Sequence, residues 1–450
     1  ANLGCDAGGL VISHGLDNGD GNSNYSNGIL EPGEIDYTIT HCSKHSLGLL
    51  IDINQGASSG MPNLYTTHTQ FIEMDNITYF FADDGIHGME LWKTDGTFTG
   101  TMMVKDINSG AKGSYPSNVL GNDYKMEVVN STLFFAADDG SNGVELWKTN
   151  GNASTTSLVK NINSGSSDSI PRLLTRMGSK LFFGANDGSN GHELWQSDGT
   201  AAGTSMVKDI NSGSGDSMKY SKVNHIIAIG SVLYFSASDG SYTDLWKSDG
   251  SSSGTTKIKD FGWMNEDFDF ISMGSTLYFS ARVCSGCSNN GLWKSTGTSS
   301  GTSEVTSTLS IENLGEAVIL NSKLYFSAYK SNTGREMYVS DGTASGTTMI
   351  GDFTPGSDST VYDQRHEIIS TGSVVIFEGM GLAGYSSDRS LWVTDGTTSG
   401  TFVISTLCNN CDGEQTKFHL AGNLVYFAAK NHIGEHSLWV SDGTLNGTKV

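Results

Sequence analysis

The residues of this chain best suited to chemistry are six cysteines and a large set of carboxylates. Cys284-Ser285-Gly286-Cys287 and Cys408-Asn409-Asn410-Cys411 are two C-x-x-C pairs, and Cys5 and Cys42 form a distant third pair. Two C-x-x-C pairs brought together can hold a tetrahedral zinc ion, and one such pair on a βαβ unit can carry redox chemistry. Neither context is visible here, because the two pairs fall in separate repeats and no βαβ pattern surrounds them. The expectation is two local disulfides stapling surface loops. A Cys5–Cys42 bridge would staple a segment too small to fold on its own core.

The carboxylates recur in two settings. Asp83-Asp84-Gly85, Asp138-Asp139-Gly140, Asp187-Gly188 and Asp239-Gly240 punctuate the chain, and Asp52, Asp106 and Asp209 each open an Asp-Ile-Asn triplet. Gathered on one face, they could bind cations and bridge calcium to a partner; the simpler expectation is turn chemistry, which uses the same residue types. A separate stretch near the N-terminus has the parts of a calcium loop. Gly28 and Glu34 are six apart, as calcium loops require, and Asp17, Asp20, Asn27 and Glu34 are the candidate ligands. The start of that loop is irregular, since Asp17 lies ten residues before Asn27 where the EF-hand pattern has four.

Catalytic signatures are sparse. No phosphate loop or H-E-x-x-H motif occurs. Arg172, Arg176, Arg282, Arg335, Arg365 and Arg389 occupy no one repeat position in common, and Glu127, Glu266, Asp267, Glu316 and Glu378 form no recognisable acid pair. The expectation is that the chain is not an enzyme.

The elements that carry these residues follow from a repeat. The segment Leu181–Ile210, LFFGANDGSNGHELWQSDGTAAGTSMVKDI, realigns with Phe80–Ile107, FFADDGIHGMELWKTDGTFTGTMMVKDI. The frame returns at Trp92, Trp147, Trp195, Trp246, Trp293, Trp392 and Trp439, with Tyr338 in the eighth place, at intervals of 45 to 55 residues. That is the length of a propeller blade of four short strands. Alternation in Glu193-Leu194-Trp195 sends Leu194 to one sheet face and Trp195 to the other. The eight aromatics are therefore expected between blades. The predicted fold is all-β: an eight-bladed β-propeller over residues 46–450, preceded by a small disulfide-bounded module over residues 1–45.

The two ends complement each other. Gly447-Thr448-Lys449-Val450 begins the frame of a fourth strand, and Leu50-Ile51-Asp52-Ile53-Asn54 continues it. The N-terminal strand is expected to complete the last blade and close the ring, removing sheet edges. Pairing with the unfinished blade of another subunit is the alternative, which would build an open filament.

Composition narrows the function classes. A net charge of −22 with no basic stripe disfavours nucleic acid and anionic membranes. No apolar run reaches the length of a membrane span. An even cysteine count in a Ser/Thr/Gly-rich chain suggests an oxidising, extracellular setting, and the Ala1 start fits a mature secreted chain. Asn24, Asn76, Asn130, Asn152 and Asn446 open glycosylation sequons.

Glu90-Leu91-Trp92-Lys93-Thr94-Asp95-Gly96-Thr97 and its cognates resemble the ELWxxDGT repeat family of secreted proteins, over roughly residues 46–450. The first 45 residues are similar to a short Cys-bounded module through Cys5, Gly8, Gly9, Gly15, Asp17, Asn27, Gly28, Leu30, Glu34 and Cys42, with Gly19–Ser26 as an insertion. The resemblance implies an extracellular propeller and supplies no enzymatic activity. The expected function is a non-enzymatic structural or adhesive surface protein, self-associating as a homo-oligomer or filament, or binding other surface proteins. Calcium is the expected cofactor. The alternatives are a glycan-binding propeller using aromatics such as Tyr242, Trp263, Tyr329 and Tyr385, or a secreted polysaccharide hydrolase.

Overall fold

The computed structural model describes residues 9–15, 35–42, 51–54, 71–116, 126–218, 226–261, 270–281, 290–311, 314–355, 359–361, 367–380, 389–408, 417–430 and 436–449. The chain divides into two compact units: residues 1–53 with 96–101, and residues 54–95 with 102–450. Within the first, Gly9–Gly15 and Ile35–Cys42 pair as an antiparallel hairpin with an irregularity at His14/Gly15.

The second unit is an eight-bladed β-propeller. Seven blades are four-stranded antiparallel meanders, and one 3-10 turn, Leu314–Glu316, is the only helical element among the described residues. Blade 1 comprises Ile72–Met74, Ile77–Asp83, Met89–Thr94 and Met102–Lys105. Blade 3 comprises Arg172–Met177, Lys180–Asn186, His192–Ser197 and Ser205–Lys208, and blades 2, 4, 5, 6 and 7 run over residues 127–160, 226–259, 270–306, 318–349 and 368–408. Blade 8 has three strands, His419–Ala421, Leu424–Lys430 and His436–Ser441. Its fourth is begun by Lys449, whose N–H and C=O both pair with Val440, at 3.0 and 2.9 Å.

The alternation around each tryptophan decides how blades stack. Leu194 packs with Leu233, Phe235 and Trp246 of blade 4. Trp195, on the opposite face, packs with Phe134 and Leu146 of blade 2. Trp92, Trp147, Trp195, Trp246, Trp293, Tyr338, Trp392 and Trp439 are all buried. Their indole N–H groups fare differently: Trp392 Nε1 donates to the Met380 carbonyl at 2.9 Å, whereas Nε1 of Trp92, Trp147, Trp195, Trp246 and Trp293 is buried with no acceptor.

Lysines clamp the seams. Lys93, Lys148, Lys247 and Lys294 of the third strands donate to the Gly151, Gly199, Gly297 and Gly342 carbonyls of the next blade's Gly turn, at 2.7 to 2.9 Å. Lys105, Lys160 and Lys208 of the fourth strands reach the next blade's Thr156, Thr204 and Thr255 carbonyls. Each also lies within 6.0 Å of the next Trp ring centroid, a cation–π distance.

The start of the repeat region takes the place that its sequence predicts. Gly188 has φ +82°, and a Cβ there would stand 2.5 Å from Asn163 Oδ1, which follows the fourth strand of the preceding blade; Gly140 is placed the same way against Asn108. Asn54 stands against Gly85 of blade 1 with a corresponding 2.9 Å approach. Asn54 thus occupies the position that follows a fourth strand, one blade before blade 1.

Candidate functional site

The loops between second and third strands and those after fourth strands meet at one end of the propeller. In blades 1 to 3 the first loop is built on side-chain oxygens that accept backbone N–H groups. Asp83 Oδ1 accepts from Gly85, Asp138 Oδ1 from Gly140 and Asn186 Oδ1 from Gly188, each at 2.7 Å. The following residue repeats the motif: Asp84 takes Ile86 and His87, Asp139 takes Ser141 and Asn142, and Asp187 takes Ser189 and Asn190. Burial pushes these three carboxyls up, but their hydrogen bonds, which for Asp84 include the His87 imidazole at 2.7 Å, outweigh it and hold Asp84, Asp139 and Asp187 below the usual carboxylate range. These are Asx turns.

Beneath them lies a set of buried carboxylates at the Glu of each Glu-Leu-Trp. Glu90, Glu145, Glu193 and Glu336 are 0% exposed. Each holds the segment that follows its own fourth strand. Glu90 accepts from Asn108 N at 3.1 Å and Ser114 Oγ at 2.6 Å. Glu145 accepts from Ile162 N, Asn163 N and Ser169 Oγ at 3.0, 3.1 and 2.6 Å. Glu193 accepts from Ile210 N, Asn211 N and Ser217 Oγ at 2.8, 3.3 and 2.7 Å. Glu336 accepts from the backbone N and Oγ1 of Thr360 at 3.0 and 2.8 Å. Burial dominates their ionisation: it pushes Glu145, Glu193 and Glu336 up to about 7 against their hydrogen bonds, and raises Glu90 as well.

The hydroxyl residues held in this way also stitch blades together. Ser114 N donates to the Met89 carbonyl of blade 1 at 3.0 Å, and the Ser114 carbonyl accepts Asp138 N of blade 2 at 2.9 Å. Ser169, Ser217 and Thr360 repeat the bridge between Val144 and Asn186, His192 and Ser238, and Arg335 and Met380. Motif and repeat reasoning misses these latches, although the sequence carries a signal for them: each hydroxyl residue follows its glutamate by 24 residues.

Departures from the repeat are also at this end. Arg172 and His192 are 4% and 2% exposed, and Asp216 Oδ1 accepts His192 N at 2.7 Å. Burial, with the Arg172 charge adding to it, lowers His192 to about 4. In blade 7, Arg389 Nη1 donates to buried Glu378 Oε1 at 2.5 Å. Carboxylate or amide oxygens at one frame position, Asp106, Asn161, Asp209 and Asp352, are buried without a hydrogen-bond partner.

The remaining expected site residues are spread more widely. Asp17, Asp20, Asn27 and Glu34 lie outside the described residues, as do Cys5, Cys284, Cys287, Cys411 and Asn24. Cys42 and Cys408 end strands. Among the described residues, no group of three or more His, Cys, Asp or Glu side chains could hold a metal ion. Asn76, Asn130, Asn152 and Asn446 are exposed. Tyr242 and Tyr329 are each 39% exposed, whereas Trp263 and Tyr385 lie outside the described residues. No described helix is long and apolar enough to cross a membrane.

Chemically, the buried glutamates can exchange a proton near neutrality but have no exposed surface to offer a substrate. What the loop end presents to a ligand is negative charge on ordered turns.

No protein family model and no curated protein matches this chain. Solved structures do. The chain is similar to a prolyl endopeptidase analysed for inter-domain dynamics in catalysis and specificity, at 11% identity and a TM-score of 0.44, covering 83% of this chain and 53% of that one. It is similar to oligopeptidase B from Leishmania major, at 8% identity and a TM-score of 0.43, over 83% of this chain and 52% of that one. It is similar to a puromycin hydrolase, at 9% identity and a TM-score of 0.40, over 82% and 60%. The chain thus spans about half of the two peptidases it matches. The expectation of a non-enzymatic structural or adhesive protein finds no support here: the similar structures are hydrolytic enzymes by name.

Proposed function

We propose that this chain is a recognition propeller whose acidic loop end captures a cationic, peptide-like ligand. The observation that carries the reading is the gathering of Asp84, Asp139 and Asp187 onto ordered turns at one end, with each carboxyl held toward its ionised form. A chain of net charge −22 adds a long-range field of the same sign, which speeds the arrival of cations. Such recognition would serve substrate selection where a hydrolytic domain works beside the propeller. The even cysteine count and the ELWxxDGT-like repeat support an extracellular setting.

The test is fluorescence polarisation with labelled oligo-lysine and oligo-glutamate peptides at two ionic strengths. The lysine peptide is expected to bind, and more weakly at high salt. An Asp84→Asn/Asp139→Asn/Asp187→Asn variant keeps the turn acceptors but loses the charge, and is expected to bind more weakly by about tenfold, or about 1.4 kcal/mol. Equal binding of both peptides, or a salt-independent affinity, overturns the proposal.

A further inference from the structure

We propose that the Glu–Ser/Thr latches are a pH-sensitive device: protonated, they lock the loop end of the propeller, and on ionisation they release the connecting segments that bridge neighbouring blades. The inference is independent of which ligand the propeller binds.

The geometry supporting it recurs in four blades. In each, a fully buried carboxyl is the anchor for a segment arriving 24 residues later. That segment makes the main-chain bridge to the next blade, so losing the anchor loosens a seam as well as a loop. An acidic side chain faces each of these anchors. Facing Glu90 are Asp106 from the fourth-strand exit and His87 from the preceding loop. Facing Glu145 is Asp168. Facing Glu193 is Asp209, and its chain neighbour His192 sits against Asp216 and Arg172. Facing Glu336 are Asp352 and Tyr338, with Arg335 next in the chain. A carboxylate formed there is both desolvated and set beside a like charge, and both disfavour ionisation. The direction of the shifts agrees: burial raises all four, three of them to about 7. The fifth equivalent position shows the contrast. Asp244 is 1% exposed and pairs with Lys257 Nζ at 2.6 Å, so its charge is compensated and blade 4 should not take part.

Hydrogen exchange followed by mass spectrometry, corrected for the intrinsic pH dependence, tests the device on the whole chain. Protection of the segments holding Ser169, Ser217 and Thr360 should fall from pH 5 to pH 8 by about tenfold or more, the factor that a pKa difference of about one carries. A Glu145→Gln/Glu193→Gln/Glu336→Gln variant cannot titrate there and should lose most of that fall. Independently, infrared difference spectra of the unmodified protein should show protonated carboxyl at pH 6 that disappears by pH 8. Unchanged protection between pH 5 and pH 8, the same pH dependence in the glutamine variant, or no protonated carboxyl at pH 6 overturns the proposal.

Discussion

Glu145, Glu193 and Glu336 are ionisable groups in places where most proteins would bury an alkyl chain. Unfolded, a glutamate titrates near 4.5, and in the folded chain these three are pushed to about 7. Between those values the folded state binds more protons than the unfolded one, so stability falls as pH rises through the window. The aspartates of the Asx turns act in the opposite sense, because their carboxyls are lowered from 3.8. Their contribution is fully present above that value and is lost only in stronger acid, so it does not offset the glutamates. His192, lowered to about 4, acts against them between there and 6.5, but it is one group against three, so the melting temperature is expected to be higher near pH 5 than near pH 8. For each group, a tenfold difference in acidity between the folded and unfolded chain is worth about 1.4 kcal/mol. A calorimetric scan showing a flat or rising melting temperature across that range would contradict the assignment. The Glu of the Glu-Leu-Trp frame is plain in the sequence, but its burial is not. Burial comes from a segment that folds over it from further along the chain.

At the scale of the element, each blade is a meander whose alternation is legible. In blade 3 the alternation predicts strands at Leu173–Met177, Leu181–Ala185, His192–Gln196 and Met206–Ile210. The structure has Arg172–Met177, Lys180–Asn186, His192–Ser197 and Ser205–Lys208. The fourth strand ends earlier because Ile210 N is drawn off to Glu193 Oε2, which turns the chain into the latch. The acidic turns are also legible as turns, since Asp-Gly pairs form them for local reasons. The latch hydroxyls are not, because a serine after a glycine-rich stretch has no local mark. Ser217→Ala should leave Glu193 one donor short and cost about 1–3 kcal/mol in urea unfolding. A cost under about 0.5 kcal/mol, the range of ordinary surface changes, would show that the hydroxyl is not holding the carboxyl.

At the scale of the whole molecule, the seams between blades are not equally filled among the described residues. Seven hydrophobic clusters, one per consecutive pair of blades, fill the seams from blade 1 to blade 8. Among the described residues no such cluster joins blade 8 to blade 1. Leu438, whose counterparts Leu91, Leu146, Leu194, Leu245, Leu292 and Leu391 are 0% exposed, is 44% exposed. Leu194→Ala should accordingly cost about 2–5 kcal/mol, and Leu438→Ala less than about 1 kcal/mol, because little transfer energy and no closed cavity are at stake. Equal losses in thermal unfolding would mean that the last seam is as tightly filled as the others. By itself, the sequence determined the number of blades, the faces of their strands and the core aromatics, because recurrence and alternation are local properties that the backbone period converts directly into geometry. Only the tertiary structure decided which carboxyls lose their water and which hydroxyls they hold. Those depend on groups 24 residues apart, and desolvation is set by everything that arrives around a group, not by its neighbours in the chain.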